Sequence, residues 1–385
     1  MPTAKIGIAG GGQLGKMMIL EAKRLGLYVT TLDPDPSCPS RSISDGFIEA
    51  DLFDKTALRE LAEKSDIITY EWENISADAL LELEGEGHKI YPSASSLRLI
   101  QDKFLQKTAL REGGAAVPDF QAIPDFEHLK NFAEKHGYPI MLKKRRGGYD
   151  GYGNYLIQNE TDITTGFTAL GGIDGALMAE EYIDFLMEVS VIAVRGQNGD
   201  KAVYPTAHNI HKNNILITTA VPAQLPNTSL QQDISDAAAK VMDVFEGVGT
   251  FGIEMFIGKN NLIYINEVAP RPHNSGHYTI EGCRTNQFEN HIRAILALPL
   301  GEPSLLHNAV FMRNLLGRSD GAAVVHGAAE AYGHAGVNLH IYGKSESRTG
   351  RKMGHYTITA KSMELALKID KIIINTVKIQ GEKNK

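Results

Sequence analysis

The stretch Lys5-Ile6-Gly7-Ile8-Ala9-Gly10-Gly11-Gly12-Gln13-Leu14-Gly15-Lys16-Met17-Met18 decides how the chain begins to fold. Lys5 to Ala9 is a short apolar strand that runs into glycines. From Gln13 to Leu25 the apolar residues Leu14, Met17, Met18 and Leu25 recur at helical spacing, and Gly26 stops the helix. Strand, glycine turn and helix then repeat downstream. Tyr28 to Leu32 reads as a strand ending at Asp33-Pro34, Ala57 to Ala62 as helix, Ile67 to Tyr70 as strand and Ala77 to Leu83 as helix. This alternation predicts a parallel sheet covered on both faces. Its ligand edge lies at the carboxyl ends of the strands, where the loops Gly10–Gly15 and Glu71–Asn74 both fall.

The glycine loop fits more than one chemistry. Gly10, Gly12 and Gly15 match G-x-G-x-x-G, and Asp33 ends the next strand where a dinucleotide site places its ribose-binding acid. Gly10, Gly15 and Lys16 fit most of a P-loop, but Met17 replaces the Ser or Thr that would hold magnesium. A third reading has the amide groups of the helix N-terminus facing some other anion, with Gln13 adding a polar side chain. A fourth is a plain strand-to-helix turn whose glycines permit tight packing.

Pro92 to Ser96 marks a boundary. Beyond it the pattern predicts one helix over Leu97–Arg111, another over Glu127–His136 and a strand over Pro139–Lys143. Residues 176 to 221 read as antiparallel strands and Gln231 to Phe245 as helix. Thr250–Ile257 and Asn261–Asn266 read as strands joined by the turn Gly258-Lys259-Asn260. The last ninety or so residues alternate short strands and turns, with a helix near Met363–Lys368 and a frayed end over Glu382–Lys385.

Three segments carry chemistry. Lys143-Lys144-Arg145-Arg146 leads into Gly147-Gly148-Tyr149-Asp150-Gly151-Tyr152-Gly153-Asn154, where glycines let backbone N–H groups approach phosphate oxygens and the cations neutralise charge. Glu254 and Glu267 fall on strands joined by a turn, so both acids can point to one face. With Asn266 they are hard oxygen ligands suited to Mg2+. Immediately after them comes Ala269-Pro270-Arg271-Pro272-His273-Asn274-Ser275-Gly276-His277. His208 and His211 are three apart on a strand and cannot share a metal, and His273 and His277 lack a third partner, so zinc is not expected.

Composition bounds the possibilities. The 385 residues are 43% hydrophobic and 22% charged, which gives ample core material for two or three domains. The formal charge of -7, from 39 Lys plus Arg against 46 Asp plus Glu, does not suit a nucleic-acid partner. Cys38 and Cys283 form neither a disulfide framework nor a metal spacing. No signal peptide and no membrane-length apolar run is present, and the chain reads as cytoplasmic, with no membrane partner.

Taken together these segments resemble the ATP-grasp superfamily, and within it the N5-carboxyaminoimidazole ribonucleotide synthetase family. The resemblance runs from Ile6 to about Thr357. Its carriers are Gly10–Met17 (GGGQLGKM), Glu71–Asn74 (EWEN), Gln101-Asp102-Lys103, Lys143–Asn154 (KKRRGGYDGYGN), Glu180–Ile183 (EEYI), Asn266–Thr279 (NEVAPRPHNSGHYT) and Arg351–His355 (RKMGH). It implies a fold of α/β and α+β parts. A Rossmann-like domain spans residues 1–95, a central ATP-grasp domain 96–297, and a small β-rich domain 298–385.

The same resemblance implies the site. Lys103 and Lys143 would hold phosphates, and Gly148, Tyr149, Asp150, Gly151, Tyr152, Gly153 and Asn154 would cover the triphosphate. Glu180, Glu181, Tyr182 and Ile183 would pass beside adenine. Glu188 would take the ribose hydroxyls, and His211 matches a further nucleotide contact. Glu254 and Glu267 match the magnesium positions, with Asn266 beside them. Gln13, Glu71, Asn74, Arg271, His273, Ser275 and Lys352 match the side that binds 5-aminoimidazole ribonucleotide, with Arg348 and Arg351 as further candidates. Arg271, His273 and Asp150 are the catalytic candidates. The chain departs from the family at Tyr152, commonly a basic residue, and at Thr349, usually Pro. The implied co-substrates are ATP and bicarbonate with Mg2+, without NAD, biotin or zinc, and the implied assembly is a homodimer. The rivals are a formate-using glycinamide ribonucleotide transformylase, biotin carboxylase and, from Gly10, Gly12, Gly15 and Asp33 alone, a nicotinamide-dependent dehydrogenase.

Overall fold

A computed structural model describes residues 4–148 and 153–382. The N-terminal part comprises β1 (Lys5–Ala9), α1 (Gln13–Arg24), β2 (Tyr28–Asp33), β3 (Gly46–Glu49), α2 (Lys55–Glu63), β4 (Ile67–Tyr70) and α3 (Ala77–Gly85). Its four strands form a parallel sheet in the order β3-β2-β1-β4. The expected strands are present, and β3 is an additional edge strand. One face packs Ala9, Leu32 and Tyr70 against Leu58, Leu61, Leu80 and Leu83. The other packs Ile6, Ile8 and Val29 against Leu14 and Met18.

Two helices follow, α4 (Ala94–Gln101) and α5 (Lys103–Glu112). A single helix was expected here. Asp102 breaks it: its backbone is extended, and its carboxylate accepts the N–H groups of Phe104 and Leu105 as the cap of α5. The chain continues through β5 (Phe120–Ile123), α6 (Phe126–His136), β6 (Ile140–Lys144), β7 (Asn154–Ile157), α7 (Asp162–Ala169) and β8 (Leu177–Glu181). These strands make a small antiparallel sheet in the order β5-β8-β6-β7.

The large sheet begins with β9 (Phe185–Arg195), β10 (Lys201–Val203), β11 (Ala207–Lys212) and β12 (Ile215–Val221). After α8 (Leu230–Phe245) come β13 (Gly249–Gly258), β14 (Ile263–Ala269), α9 (Thr279–Gly282) and α10 (Gln287–Ile295). The C-terminal part contains β15 (Ala309–Leu316), β16 (Gly321–His326), α11 (Ala328–Tyr332), β17 (Val337–Ile341) and β18 (Glu346–Ser347). It ends with β19 (Lys352–Ala360), α12 (Met363–Thr376) and β20 (Lys378–Glu382). The helix expected near Met363–Lys368 thus runs on to Thr376.

The large sheet runs β14-β13-β9-β11-β12-β15-β19-β17, with β10 beside β9. It crosses from the central into the C-terminal part without interruption, because β12 pairs directly with β15. The N-terminal sheet is likewise tied in. Phe288, Ile292 and Ile295 of α10 help cover the Ile6–Ile8 face. Pieces from three parts of the chain therefore share a core, while the small sheet keeps its own, with Ile140, Leu142 and Ala179 packed against Leu129 and Phe132.

Candidate active site

The acids Glu254 and Glu267 lie directly opposite each other on β13 and β14. On their C-terminal and N-terminal sides respectively, Met255 opposes Ile265, so Asn266 is the extra residue of a β-bulge. A bulge sets two residues of one strand against one of the other and re-aims a side chain. Here Asn266 and Glu267 together oppose Glu254. Strict alternation would have turned Asn266 away from the acids.

The cleft around this pair is densely charged. Lys103 forms an ion pair with Glu267. Lys143 Nζ lies 2.6 Å from Glu180, and Lys107 Nζ lies 3.3 Å from its other oxygen. Lys107 also donates to Ile265 O at 3.0 Å. Burial opposes ionisation of Glu180, but Lys107 and Lys143 outweigh it and hold the carboxyl down at about 2. Burial pulls Lys107 down to about 8 despite Glu180. For Glu267, burial is outweighed by Lys103 and its pKa falls, whereas burial raises Glu254, with the Glu267 charge adding to it. One acid is charge-balanced by a lysine; its neighbour is under-compensated. Two hard carboxylates and an amide oxygen at one bulge suit a hard divalent cation, so the donor set fits Mg2+.

Lys107 was not foreseen from sequence. The available signal was its place one helical turn after Lys103. The basic run Lys143–Arg146 is also less free for phosphate than expected. Arg145 makes a bidentate pair with Asp102 at 2.9 and 2.7 Å, and Arg146 adds a contact of 3.3 Å. Lys143 pairs in register with Asn154, so the glycine segment joins β6 to β7. Gly148 and Gly153 flank it, and Gly153 has φ +91°. Tyr149, Asp150, Gly151 and Tyr152 lie outside the described residues.

On the opposite wall, residues 182–184 lead from β8 into β9. Glu181, Tyr182 and Ile183 thus form the connection between the two sheets, and the Glu181 N–H is taken by Asp119 O at 2.8 Å. Glu188 and His211 come together: His211 Nδ1 lies 2.6 Å from Glu188 Oε2. Burial lowers the imidazole pKa, but Glu188 and Glu254 outweigh it and raise it.

The loop after β14 joins the acids to the N-terminal part. Arg271 Nη2 lies 2.8 Å from Glu73 Oε1, while its Nε is buried without a hydrogen-bond partner. A guanidinium N–H left unmatched in such a place is set up for an anion. His273 Nε2 stands 3.8 Å from Glu254, and its Nδ1 contacts Ser275 Oγ at 2.9 Å. Ser190, absent from the sequence reading, donates to Ser275 Oγ at 2.9 Å. Burial drives the His273 pKa well down, and Arg271 and Lys352 add to it, so the ring is neutral. The Lys352 charge is also felt by His211, which places β19 at the same cleft.

Glu71 is engaged with the glycine loop. It is buried and accepts the N–H of Gly12 at 2.6 Å and of Gly15 at 2.9 Å. The anion held at the N-terminus of α1 is therefore the chain's own carboxylate. Asp33 holds the N–H of Gly11 in the same way at 2.6 Å. In this structure Glu71 shapes the loop, while Gln13 is half-buried and Asn74 exposed beside it. Of the C-terminal arginines, Arg351 lies close enough to Asp35 to lower its pKa, after the Ser37 contacts that dominate. Arg348 instead pairs with Glu346 at 3.1 Å on the exposed surface.

The chain resembles known proteins along nearly its whole length. Residues 3–101 match the ribonucleotide synthetase preATP-grasp domain, residues 108–288 the ATP-grasp domain, and residues 310–369 the phosphoribosylaminoimidazole carboxylase C-terminal domain. The N5-carboxyaminoimidazole ribonucleotide synthase of Bacillus subtilis (strain 168) is 44% identical over 357 residues, covering 92% of this chain and 91% of that protein. The crystal structure of the synthetase from Thermotoga maritima superposes with a TM-score of 0.89 at 41% identity, covering 98% and 100% of the two chains. That of the Aspergillus clavatus synthase, in complex with ADP and 5-aminoimidazole ribonucleotide, gives 0.89 at 35% identity, covering 97% and 98%. With its fold and nearly its whole length shared, the chain belongs to the N5-carboxyaminoimidazole ribonucleotide synthase family of ATP-grasp enzymes.

Proposed function

We propose that this enzyme uses ATP and bicarbonate to carboxylate the exocyclic amine of 5-aminoimidazole ribonucleotide, releasing ADP and phosphate, as a step of purine biosynthesis. One observation carries the reading. Arg271, two residues beyond the acid-bearing strand β14, pairs with Glu73 in the loop at the ligand edge of the N-terminal sheet. A single short segment thus spans the phosphate-handling cleft and the edge where a second substrate would sit.

Bicarbonate carbon lacks a good leaving group. A bicarbonate oxygen attacks the γ-phosphorus, the bond to the β-phosphate oxygen breaks, and ADP leaves. In the carboxyphosphate so formed, phosphate is the leaving group. The amine attacks the carbon directly, or attacks carbon dioxide released from it, and gives up a proton. Lys103 and Lys143 offset charge on the transferred group. Arg271 orients the bicarbonate or carboxyphosphate through its unmatched Nε. Neutral His273, with Asp150, positions the reactants and handles the proton. Glu254, Glu267 and Asn266 would hold Mg2+, which when bound supplies charge neutralisation at the phosphates. The glycine segment after β6 would exclude water from the intermediate.

We further propose domain limits of 1–95, 96–297 and 298–385, a homodimer and a cytoplasmic location. Among the described residues, no helix is long and apolar enough to cross a membrane. Sedimentation tests the dimer. Phosphate release from ATP, measured with each substrate omitted in turn, tests the reaction. Full release without the aminoimidazole ribonucleotide would sink it.

A further inference from the structure

The tripeptide Gln101-Asp102-Lys103 sits at the break between α4 and α5, and its three side chains leave in three directions. Lys103 goes to Glu267, and Asp102 to Arg145 and Arg146. Gln101 goes to the N-terminal part. Its Nε2 donates to Glu73 O at 2.6 Å and to Ile75 O at 2.8 Å. These carbonyls stand on either side of Asn74. One carboxamide therefore fixes the main chain around Asn74 and sets where the Glu73 side chain begins. Glu73 in turn holds Arg271. The helix behind Gln101 is rigidly anchored, because Leu97 lies in the core of the N-terminal part and Ile100 in that of the central part.

We propose that Gln101 is a positioning residue for the ribonucleotide side of the reaction, acting through the main chain at Glu73 and Ile75 to hold Asn74, and Arg271 through Glu73, where the second substrate meets the phosphoryl group. It rests on the function proposed above. Both acceptors are carbonyls, so the amide nitrogen, and not its oxygen, must face them. Replacing that NH2 with a carboxylate oxygen keeps the size and reverses the interaction. The loop loses two donors and gains a repulsive acceptor, while the ATP-side pairs of Asp102 and Lys103 retain their own partners.

The test measures initial rates of phosphate release by wild type, Q101E and Q101A, varying 5-aminoimidazole ribonucleotide and ATP separately, with ADP binding as a control for the folded ATP site. The expected result is a KM for the ribonucleotide raised about ten- to hundredfold in Q101E, the range set by two lost hydrogen bonds. KM for ATP and ADP affinity should stay within about twofold, the part of the split a general loss of structure would not preserve. Q101A should shift the same KM in the same direction by less. An unchanged ribonucleotide KM in both variants, or equal shifts for both substrates, would overturn the proposal. Wild-type release that ignores the ribonucleotide would instead count against the reaction itself.

Discussion

Lys143 reaches diagonally across the small sheet to Glu180, and the two meet at 2.6 Å with little exposure to water. Lys107 completes the group from α5. Removing the carboxylate would leave two buried ammonium groups facing each other. E180A should therefore lose about 3–5 kcal/mol of stability, the usual cost of breaking a buried pair from one side. Urea unfolding measures it. The acid limb has a defined sign. The folded pKa of Glu180 is depressed, to about 2 from an ordinary 4.5. Its contribution is complete above the ordinary value and is lost as pH falls toward the folded one. E180A should flatten that part of the stability profile.

Glu254 and Glu267 should each be indispensable to turnover. Replacing either with Ala should lower kcat by about a thousandfold or more, on the scale of losing a group that organises transition-state charge. E267A also strands Lys103, so its loss of stability should exceed that of E254A. Phosphate-release assays across a magnesium titration, together with thermal unfolding, check both. Retained activity in either variant would remove the acid pair from the mechanism.

Arg271 should act on chemistry more than on ATP binding. R271K keeps the charge but loses the planar fork that meets both Glu73 and an anion. A fall in kcat of roughly a hundredfold with a nearly unchanged KM for ATP is expected. Equal losses in kcat and in ATP affinity would place Arg271 on the nucleotide instead.

His291 should make the protein acid-sensitive. Its Nδ1 accepts the N–H of Thr250 at 3.1 Å and its Nε2 contacts Thr69 Oγ1 at 2.8 Å, so one neutral tautomer satisfies both. Burial takes its pKa from 6.5 to about 3. The unfolded chain therefore binds a proton that the folded chain refuses, and stability falls as pH drops below 6.5 toward the folded value. The slope approaches ~1.4 kcal/mol per pH unit for each such group. His277 and His355, fully buried and also shifted well down, add to it. H291Q should be less stable at neutral pH but show a shallower acid slope; an unchanged slope would remove His291 from the effect.

Gly10 should not tolerate a side chain. It has φ +100°, and an added Cβ would stand 2.5 Å from Glu71 Cγ. G10A would displace the carboxylate that holds the amides of Gly12 and Gly15. A rise of about tenfold in the ribonucleotide KM is expected, with a stability loss of about 1–3 kcal/mol from strain and crowding. Steady-state kinetics and thermal unfolding read the two separately.

The periodic elements were legible in the sequence because their apolar spacing reports burial directly. The β1–α1–β2 start and the paired strands β13 and β14 are cases. Asp102 was harder, because its neighbours on both sides continue a helical pattern, and its capping of α5 is accompanied by a pairing with Arg145 that lies far along the chain. Asn266 is legible as a hard oxygen ligand from its residue type, but not its place opposite Glu254, since local alternation predicts the other face and a bulge is a property of two strands together. Lys107 and Ser190 were missed for a related reason. Each gains meaning from a partner far along the chain, Glu180 and Ser275. The contacts of Glu71 with the amides of Gly12 and Gly15 are not legible in the sequence either, because they join residues far apart in the chain.

The pairing of β12 with β15 has a consequence for how the molecule comes apart. A truncation before Ala309 would do more than delete an appendage. It would uncover the backbone edge of β12 along Thr218 to Val221, a row of unpaired amides and carbonyls in a largely apolar strand. Such a fragment would be prone to self-association, and the intact chain should melt through its central and C-terminal parts in one transition.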